Sequence, residues 1–396
     1  MPQLASEKQC TGCMACLDSC PQNAIVITQK NNMPFVNIDI DKCVECHICE
    51  RTCPIVSHIS FNNPANEIVF NGWVKDDNLR KRAASGGAFA GLAHNFFMLY
   101  SDGVVVGAVL EGNKVYHRCI YKSEDIPLLM NSKYIQSHTE GIYHEITDHL
   151  KKGRNVLFSG LPCQVAGLYG FIGKRASLLE RLYTIDLVCH GVASEEALDL
   201  HLRYYGASEL ISFRNKKNAK KFKTSQCTTV RIGGRNNTIN RKEDIFYNIF
   251  SSWLLDRPSC SHCRFSKLGR VADITIGDFW GDRDAHTKGV SLVMANNMHA
   301  RILVRETDFL HLHEVTLRQA VDSNENLWTG WKAIKWHPIV IWPKWFRKHC
   351  SEKTRINILT RRQPWMILWA FYKVCTIIHI KMEKIRLLKK YNTILQ

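Results

Sequence analysis

Two stretches of the chain repeat one another at a fixed offset. CTGCMACLDSCP at residues 10–21 returns as CVECHICERTCP at 43–54, so Cys10, Cys13, Cys16 and Cys20 map onto Cys43, Cys46, Cys49 and Cys53, and Pro21 onto Pro54. An internal repeat of this kind constrains the fold before any other feature does. Eight thiols so close in sequence are either paired with one another or bound to metal. A reducing compartment disfavours disulfides. Structural zinc accepts C-x2-C pairs but has no use for a repeat of eight thiolates.

A [4Fe–4S] cube asks for thiolates at four iron corners, and a C-x2-C-x2-C loop has just enough slack between ligands to wrap three of them. The fourth cysteine, before the proline, lies too far along to close its own loop. In two-cluster ferredoxins of this spacing it crosses to the other cluster. One cube is therefore expected on Cys10, Cys13, Cys16 and Cys53, and a second on Cys43, Cys46, Cys49 and Cys20. Between the repeats, AIVIT and FVNID flank the polar KNNMP and read as a short hairpin closing a ferredoxin-like domain over residues 1–60.

At 396 residues and 45% hydrophobic, the chain is too long for that domain alone and can bury a large core. Its start, MPQLASEKQC, lacks the apolar stretch of a signal peptide, so a cytoplasmic location is expected. The formal charge of +17 is unevenly spread: residues 332–396 hold fifteen Lys/Arg against Glu352 and Glu383, which places thirteen of the net charges in the tail. The tail also carries Trp336, Trp342, Trp345, Trp365 and Trp369, and the run WMILWAFYKVCTIIHI. As a helix those sixteen residues span roughly 24 Å, short of the ~30 Å hydrocarbon core, and Lys373 interrupts them. Further on, KMEKIRLLKKY places Met382, Ile385 and Leu388 on one helical stripe. The expectation is a tail at 331–396 that lies peripherally on the anionic inner face of a membrane, or a helix that packs on the body or a partner. No zinc finger, RNP-like or helix-turn-helix pattern accompanies the basic residues, so nucleic acid is not an expected partner.

In the middle of the chain, LRKRAASGGAFAGLAHNFFMLY turns from polar to apolar at Ser85-Gly86-Gly87. Such a turn can offer N–H groups to a phosphate at a helix start, and glycines make the same turn with no ligand. VVVGAVL and VYHRCIY form the next hairpin, with Cys119 expected as a packed apolar side chain. TEGIYHEITDHLKKG reads as a helix stopped by Gly153. The buried strand NVLFSG then runs into Gly160-Leu161-Pro162-Cys163 and another helix. A second strand, LYTIDLVCHG, ends at Cys189 and His190, and VADITIGDFWG supplies a third that ends at Asp278. Units of this type gather ligating residues at the carboxyl ends of an α/β sheet. With Cys260 and Cys263 of a C-x2-C pair, Cys163 and Cys189 suffice for a third metal site if the fold brings them together, and four sulfurs suit either a cube or zinc. RNKKNAKKFK at 214–223 reads as a solvated loop, and Cys227, Cys350 and Cys375 stand alone.

ASGG at 84–87, KYIQS at 133–137, GLPCQVAGL at 160–168, DLVCHGV at 186–192, CSHC at 260–263 and ADITIGDFWG at 272–281 occur in that order. Through them, residues 1 to about 330 resemble the flavin-containing beta-subunit family of coenzyme F420 hydrogenases and dehydrogenases, in the form with an N-terminal two-cluster ferredoxin. The resemblance implies an FAD whose pocket is lined by Ser85, Gly86, Gly87, Lys133, Tyr134, Gln136 and Ser137, with Gly160 and Pro162 counted among the cofactor-binding residues. It also implies a [4Fe–4S] cluster near the flavin, matched here by Cys163, Cys189, Cys260 and Cys263. Members reduce F420, a chlorophyll derivative, or compounds tied to bacterial polysaccharide gene clusters. The chain departs from the family's F-R-D-K segment and following Gly-Trp: it reads FRNKKNAKKFK, with Asn215 in the acidic position.

The expected fold class is α+β: a ferredoxin-like domain at 1–60, an α/β flavin-binding body in two parts at 61–153 and 154–330, and the basic, partly helical tail. The expected function is an FAD- and iron–sulfur-dependent oxidoreductase served by a soluble one-electron carrier, ferredoxin-like or F420-like. The alternative is a non-catalytic relay or assembly subunit of a larger redox complex. His190 and Asp278, at strand ends, are candidate proton donors or orienters.

Overall fold

Strands that read as continuous apolar runs, VLFSG and LYTIDL among them, are covered on both faces, whereas strands with one wet face alternate. The computed structural model describes residues 1–30, 32–216, 227–241, 243–251, 255–281, 288–305, 307–324 and 327. The basic aromatic tail, with Cys350 and Cys375, and residues 217–223 of the basic segment lie outside the described residues.

In the N-terminal region, β1 (Ile25–Gln29) and β2 (Pro34–Ile38) pair antiparallel, Ile25 opposite Ile38, as the hairpin reading expects. Each cysteine repeat contributes one short helix, Ala15–Asp18 and Ile48–Thr52. Both are entered through a left-handed residue, Met14 (φ 60°) and His47 (φ 56°), so the duplication in sequence is also a duplication in backbone shape.

The body takes its strands from both sides of residue 153: β3 (Ile68–Val74), β4 (Val104–Glu111), β5 (Lys114–Ile120), β6 (Val156–Gly160) and β7 (Leu182–Leu187). It continues with β8 (Glu209–Ser212), β9 (Thr229–Ile232), β10 (Arg235–Thr238), β11 (Ile274–Asp278), β12 (Ser291–Ala295) and β13 (Leu310–Val315). Among the described residues, eight of these form one mixed sheet in the order β13-β3-β12-β11-β7-β6-β4-β5. β4, β6, β7 and β11 are mutually parallel and form its middle. β8, β9 and β10 make a separate small antiparallel sheet beside the helices Glu195–Tyr205 and Ile245–Ser251.

Alternate residues of the central strands feed two cores. Val105, Leu157, Ile185 and Ile274 face the helices Ala88–Leu99 and Met298–Arg305. Val104, Val106, Val156 and Phe158 face the helices Ile142–Lys151 and Pro162–Ile172. This second layer also carries the N-terminal region. The helix Pro162–Ile172 turns Gly167 and Gly170 toward it. A Cβ at Gly167 would stand 2.9 Å from Cys13 Sγ, and one at Gly170 would stand 2.2 Å from the Thr52 carbonyl oxygen. One glycine thus receives the first repeat and the other the second. Cys119, expected as packed core, is instead half-buried on β5 beside Glu145 and His149, because β5 is the edge strand and its partner helix offers polar side chains there.

Candidate metal centres

The two N-terminal quartets come together in the crossed arrangement. Cys10, Cys13, Cys16 and Cys53 line one pocket, with Leu4, Ala5, Val36 and Ile55 among its walls. Cys20, Cys43, Cys46 and Cys49 line a second, with Ile25, Ile38 and Val44. In both, thiols are the only ionisable side chains of the lining, set in apolar walls. That donor chemistry fits an iron–sulfur cluster. Burial pushes the Cys13 thiol up to about 12, with Cys53 and Cys10 acting in the same direction, and raises Cys16 for the same reason. Without metal these sulfurs keep their protons, which ligation displaces. The quartets differ in access: Cys10, Cys13, Cys16 and Cys53 are buried, whereas Cys46 is exposed and Cys20 and Cys43 are partly so.

The buried quartet is clasped by the body. Gln136 Nε2 donates to the carbonyls of Thr11 (3.1 Å) and Gly12 (2.8 Å), and Thr139 Oγ1 and Tyr143 Oη both donate to the Cys13 carbonyl, at 3.0 and 2.8 Å. Arg257, only 2% exposed, donates to the Cys10 carbonyl at 3.0 Å and covers the Phe35 ring. In return the Asp18 carboxylate accepts from the Gly141 N–H at 2.9 Å. These bonds fix the loop that carries three sulfurs before any cluster is bound.

The third set is gathered from three places. Cys163 is the second residue of the helix Pro162–Ile172, Cys189 follows β7, and Cys260 and Cys263 bracket a tight turn. The Cys163 thiol is raised by burial and then by Cys263, Cys189, Cys13 and Cys260, in that order, so the set is compact and adjoins the first quartet. Arg257 feels Cys10, Cys260, Cys163 and Cys13 and stands between the two groups. Burial pushes Cys189 up to about 12, although the Gly191 N–H, 3.4 Å from its sulfur, and the Arg270 guanidinium act the other way. Arg270 is itself held by Asp186 at 2.9 Å, both side chains fully buried. Among the described residues no three of the four sulfurs lie within 4.8 Å of one another. Tetrahedral zinc, with Zn–S bonds of ~2.3 Å, holds its sulfurs only ~3.8 Å apart. A cube spaces its sulfurs wider by an iron–iron edge, and no three sulfurs of either N-terminal quartet lie within 4.8 Å of one another.

The residues that the resemblance assigns to a flavin fall into separate groups. Ser85 Oγ donates to the Val290 carbonyl (3.0 Å), and Gly86 and Gly87 press on the protein's own strands. Gly87 (φ 87°) opens the helix Ala88–Leu99, where a Cβ would meet Val74 at 2.7 Å. Close to this turn, Lys216 Nζ donates to the Ser85 carbonyl (2.8 Å) and to that of Lys288 (2.9 Å). Burial, with Arg214 and Arg80 nearby, brings it down to about 7. Arg214 pairs with Asp278 at 3.0 Å and is felt by Tyr134. His190 is exposed to solvent on one side and covered by protein on the other. The surrounding protein pulls it down to about 4, against Asp278 and with Arg214. Tyr134, His190, Arg214, Lys216, Asp278 and Ser85 therefore form one polar neighbourhood.

Lys133 is not part of it. Its ammonium donates to the Leu129 (3.0 Å) and Met130 carbonyls, and burial brings it down to about 7. Nor is Gln136, whose amide is spent on the first cysteine loop. Ser137 accepts from Gln164 (2.9 Å), whose own carbonyl receives the Leu161 N–H beside Gly160 and Pro162. The solvated reading of RNKKNAKKFK fails at its start: Arg214 is buried by its bond to Asp278, and Lys216 is drawn in by three carbonyls. Arg257, Thr139, Tyr143 and the two docking glycines were not foreseen. Each acts on a segment over a hundred residues away, and only the Gly167-x2-Gly170 spacing left a trace in sequence.

Residues 153–316 match the family described as the C terminus of the coenzyme F420 hydrogenase/dehydrogenase beta subunit, and residues 9–56 match that described as 4Fe-4S dicluster domain. The two matches lie in that order along the chain, the dicluster match first and the beta-subunit match behind it. The dicluster region is similar to the NADH-quinone oxidoreductase I 2 subunit of Symbiobacterium thermophilum, 36% identical over 58 residues, which is 13% of this chain and 24% of that protein. It is also similar to an uncharacterized ferredoxin of Methanocaldococcus jannaschii, 29% identical over 51 residues, 13% of this chain and 66% of that protein. This chain thus spans about a quarter of the first relative and just under two thirds of the second. Among solved structures, a chain of the F420-reducing [NiFe] hydrogenase complex from Methanosarcina barkeri aligns with TM-score 0.45 and 15% identity, covering 64% of this chain and 83% of that one. No described helix is long and apolar enough to cross a membrane.

The close contact between the N-terminal cysteine repeats and the helix Pro162–Ile172 is testable at one atom. Gly167→Val puts a branched side chain against Cys13 Sγ, and anaerobically prepared protein should then lose about four iron per chain while the exposed quartet keeps its cluster. Iron content equal to wild type would show that the contact does not hold the first quartet.

Proposed function

We propose that the protein is an iron–sulfur flavoprotein oxidoreductase whose electron entrance is the exposed quartet Cys20, Cys43, Cys46 and Cys49. The observation that carries this reading is the contiguity of three sulfur sets, with Cys13 against Gly167 and Cys163 one helical turn earlier on the same helix. When bound, the clusters supply one-electron exchange and FAD supplies the conversion between one- and two-electron chemistry. That no three of the sulfurs Cys163, Cys189, Cys260 and Cys263 lie within 4.8 Å of one another, as in the N-terminal quartets, supports a third cube over zinc there. Ser85, Lys216, Arg214 and Tyr134 would hold the FAD. Their fit rests on charge: Arg80, Arg214 and Lys216 crowd the glycine turn, and a pyrophosphate would relieve that crowding. His190, neutral at physiological pH, can accept a proton at the mouth of this neighbourhood, and Asp278 orients Arg214.

A soluble one-electron carrier, ferredoxin-like or F420-like, is the partner proposed at the exposed quartet. The substrate is left open within the classes that the family resemblance offers, those of cell-surface polysaccharide gene clusters included. The tail at 331–396 is proposed as a peripheral anchor on an anionic membrane face, because thirteen net positive charges and six tryptophans concentrate there. Full-length protein should float with anionic liposomes and not with neutral ones; protein that ignores both removes the anchor.

A second reading, a relay subunit without flavin, is favoured by the internal hydrogen bonds that already satisfy Lys133, Gln136 and Ser137. Iron, sulfide and flavin analysis of protein purified without oxygen separates the two. About twelve iron with FAD supports the oxidoreductase, about eight without flavin supports the relay, and Cys163→Ser should remove about four iron. Iron unchanged in that variant eliminates the third cube.

A further inference from the structure

The edge strand β5 ends beside the helix Ile142–Lys151, away from all three cysteine sets. Cys119 projects from β5, and Glu145 and His149 lie four residues apart on that helix, hence on one face. One ligand atom from each falls within 4.8 Å of the other two, and among the described residues no other group of three Cys, His, Asp or Glu side chains converges so closely. Tyr121 closes the cluster, its hydroxyl donating to Glu145 Oε1 (3.2 Å) and meeting His149 Nε2 at 3.4 Å. The remaining ring nitrogen, His149 Nδ1, is buried with no hydrogen-bond partner. A buried polar atom left without a partner costs free energy that a ligand can recover.

We propose that Cys119, Glu145 and His149 form a separate metal site that takes one divalent ion of the zinc type. A sulfur, a nitrogen and a carboxylate oxygen are the three donors that zinc accepts, and three protein ligands leave its fourth position open. Magnesium and calcium, which require oxygen donors, do not suit a thiol and an imidazole. Charge agrees: one thiolate and one carboxylate neutralise a dication, so the loaded site adds no net charge beside Arg154 and Lys152, the cations that His149 feels. The ion would tie the sheet edge to the helix whose Tyr143 clasps the first cysteine loop. The docking surface of the N-terminal region would then rest on a cross-linked support.

The full chain, loaded with iron and sulfide and freed of loosely held metal, is titrated with zinc, desalted, and assayed for zinc and iron together. One zinc per chain should be retained with iron unchanged. His149→Gln and Cys119→Ala should each lose that equivalent and keep their iron, whereas Lys151→Ala on the same helix should keep both. No retained zinc overturns the proposal. So does zinc retained equally by the His149 and Cys119 variants, or zinc taken up only as iron is lost, which would place it on the cluster thiols.

Discussion

The contact between a sulfur and a bare stretch of helix backbone governs this molecule. Cys13 Sγ lies where the side chain of residue 167 would begin, and the Thr52 carbonyl lies where that of residue 170 would begin. Any larger side chain at either position would force the ferredoxin-like region off the body. With two glycines there, both cysteine repeats seat on one helix. The same helix starts with Cys163, so seating the repeats sets the buried quartet beside the third group of sulfurs. Electron exchange between clusters bound on the two parts would depend on that distance being short.

Electrostatics reinforces the packing. A cluster bound by four thiolates is an anion in a poorly solvated place, and the protein surrounds the junction with fixed donors: Gln136, Thr139, Tyr143 and, above all, the buried Arg257 between two sulfur groups. A cation and N–H donors near the sulfurs raise the reduction potential of a cluster. Arg270, anchored by Asp186, is the cation felt by Cys189 and Cys263 of the third group. The exposed quartet has no such cation among the residues lining its pocket and faces solvent through Cys46. The asymmetry gives the chain an outer and an inner end.

Much of this was legible in the sequence because it is encoded locally. The crossed pairing of the repeats, the hairpin between them, and the strand-to-helix turns at Cys163 and Cys189 all follow from spacing or period within about thirty residues. What was not legible depends on tertiary neighbours. KYIQS is a recognisable segment, yet nothing local says that Gln136 turns to the Thr11 and Gly12 carbonyls while Tyr134 turns to Arg214. The basic segment looked like a solvated loop because six of its ten residues are Lys or Arg, but its first arginine is neutralised by Asp278, sixty-four residues on. Cys119 reads as core because a lone cysteine in a strand hairpin packs as a small apolar side chain, and only the fold shows that β5 is an edge with Glu145 and His149 across from it.

Contiguity of the inner quartet with Cys163, Cys189, Cys260 and Cys263 is the central claim. Electron paramagnetic resonance of the fully reduced, oxygen-free protein measures it, because neighbouring paramagnetic clusters broaden and split each other's signals. With the two sets adjoining, an interaction spectrum is expected that simplifies to that of the N-terminal pair when Cys163 is replaced by serine. A spectrum that the replacement leaves unchanged would contradict the claim.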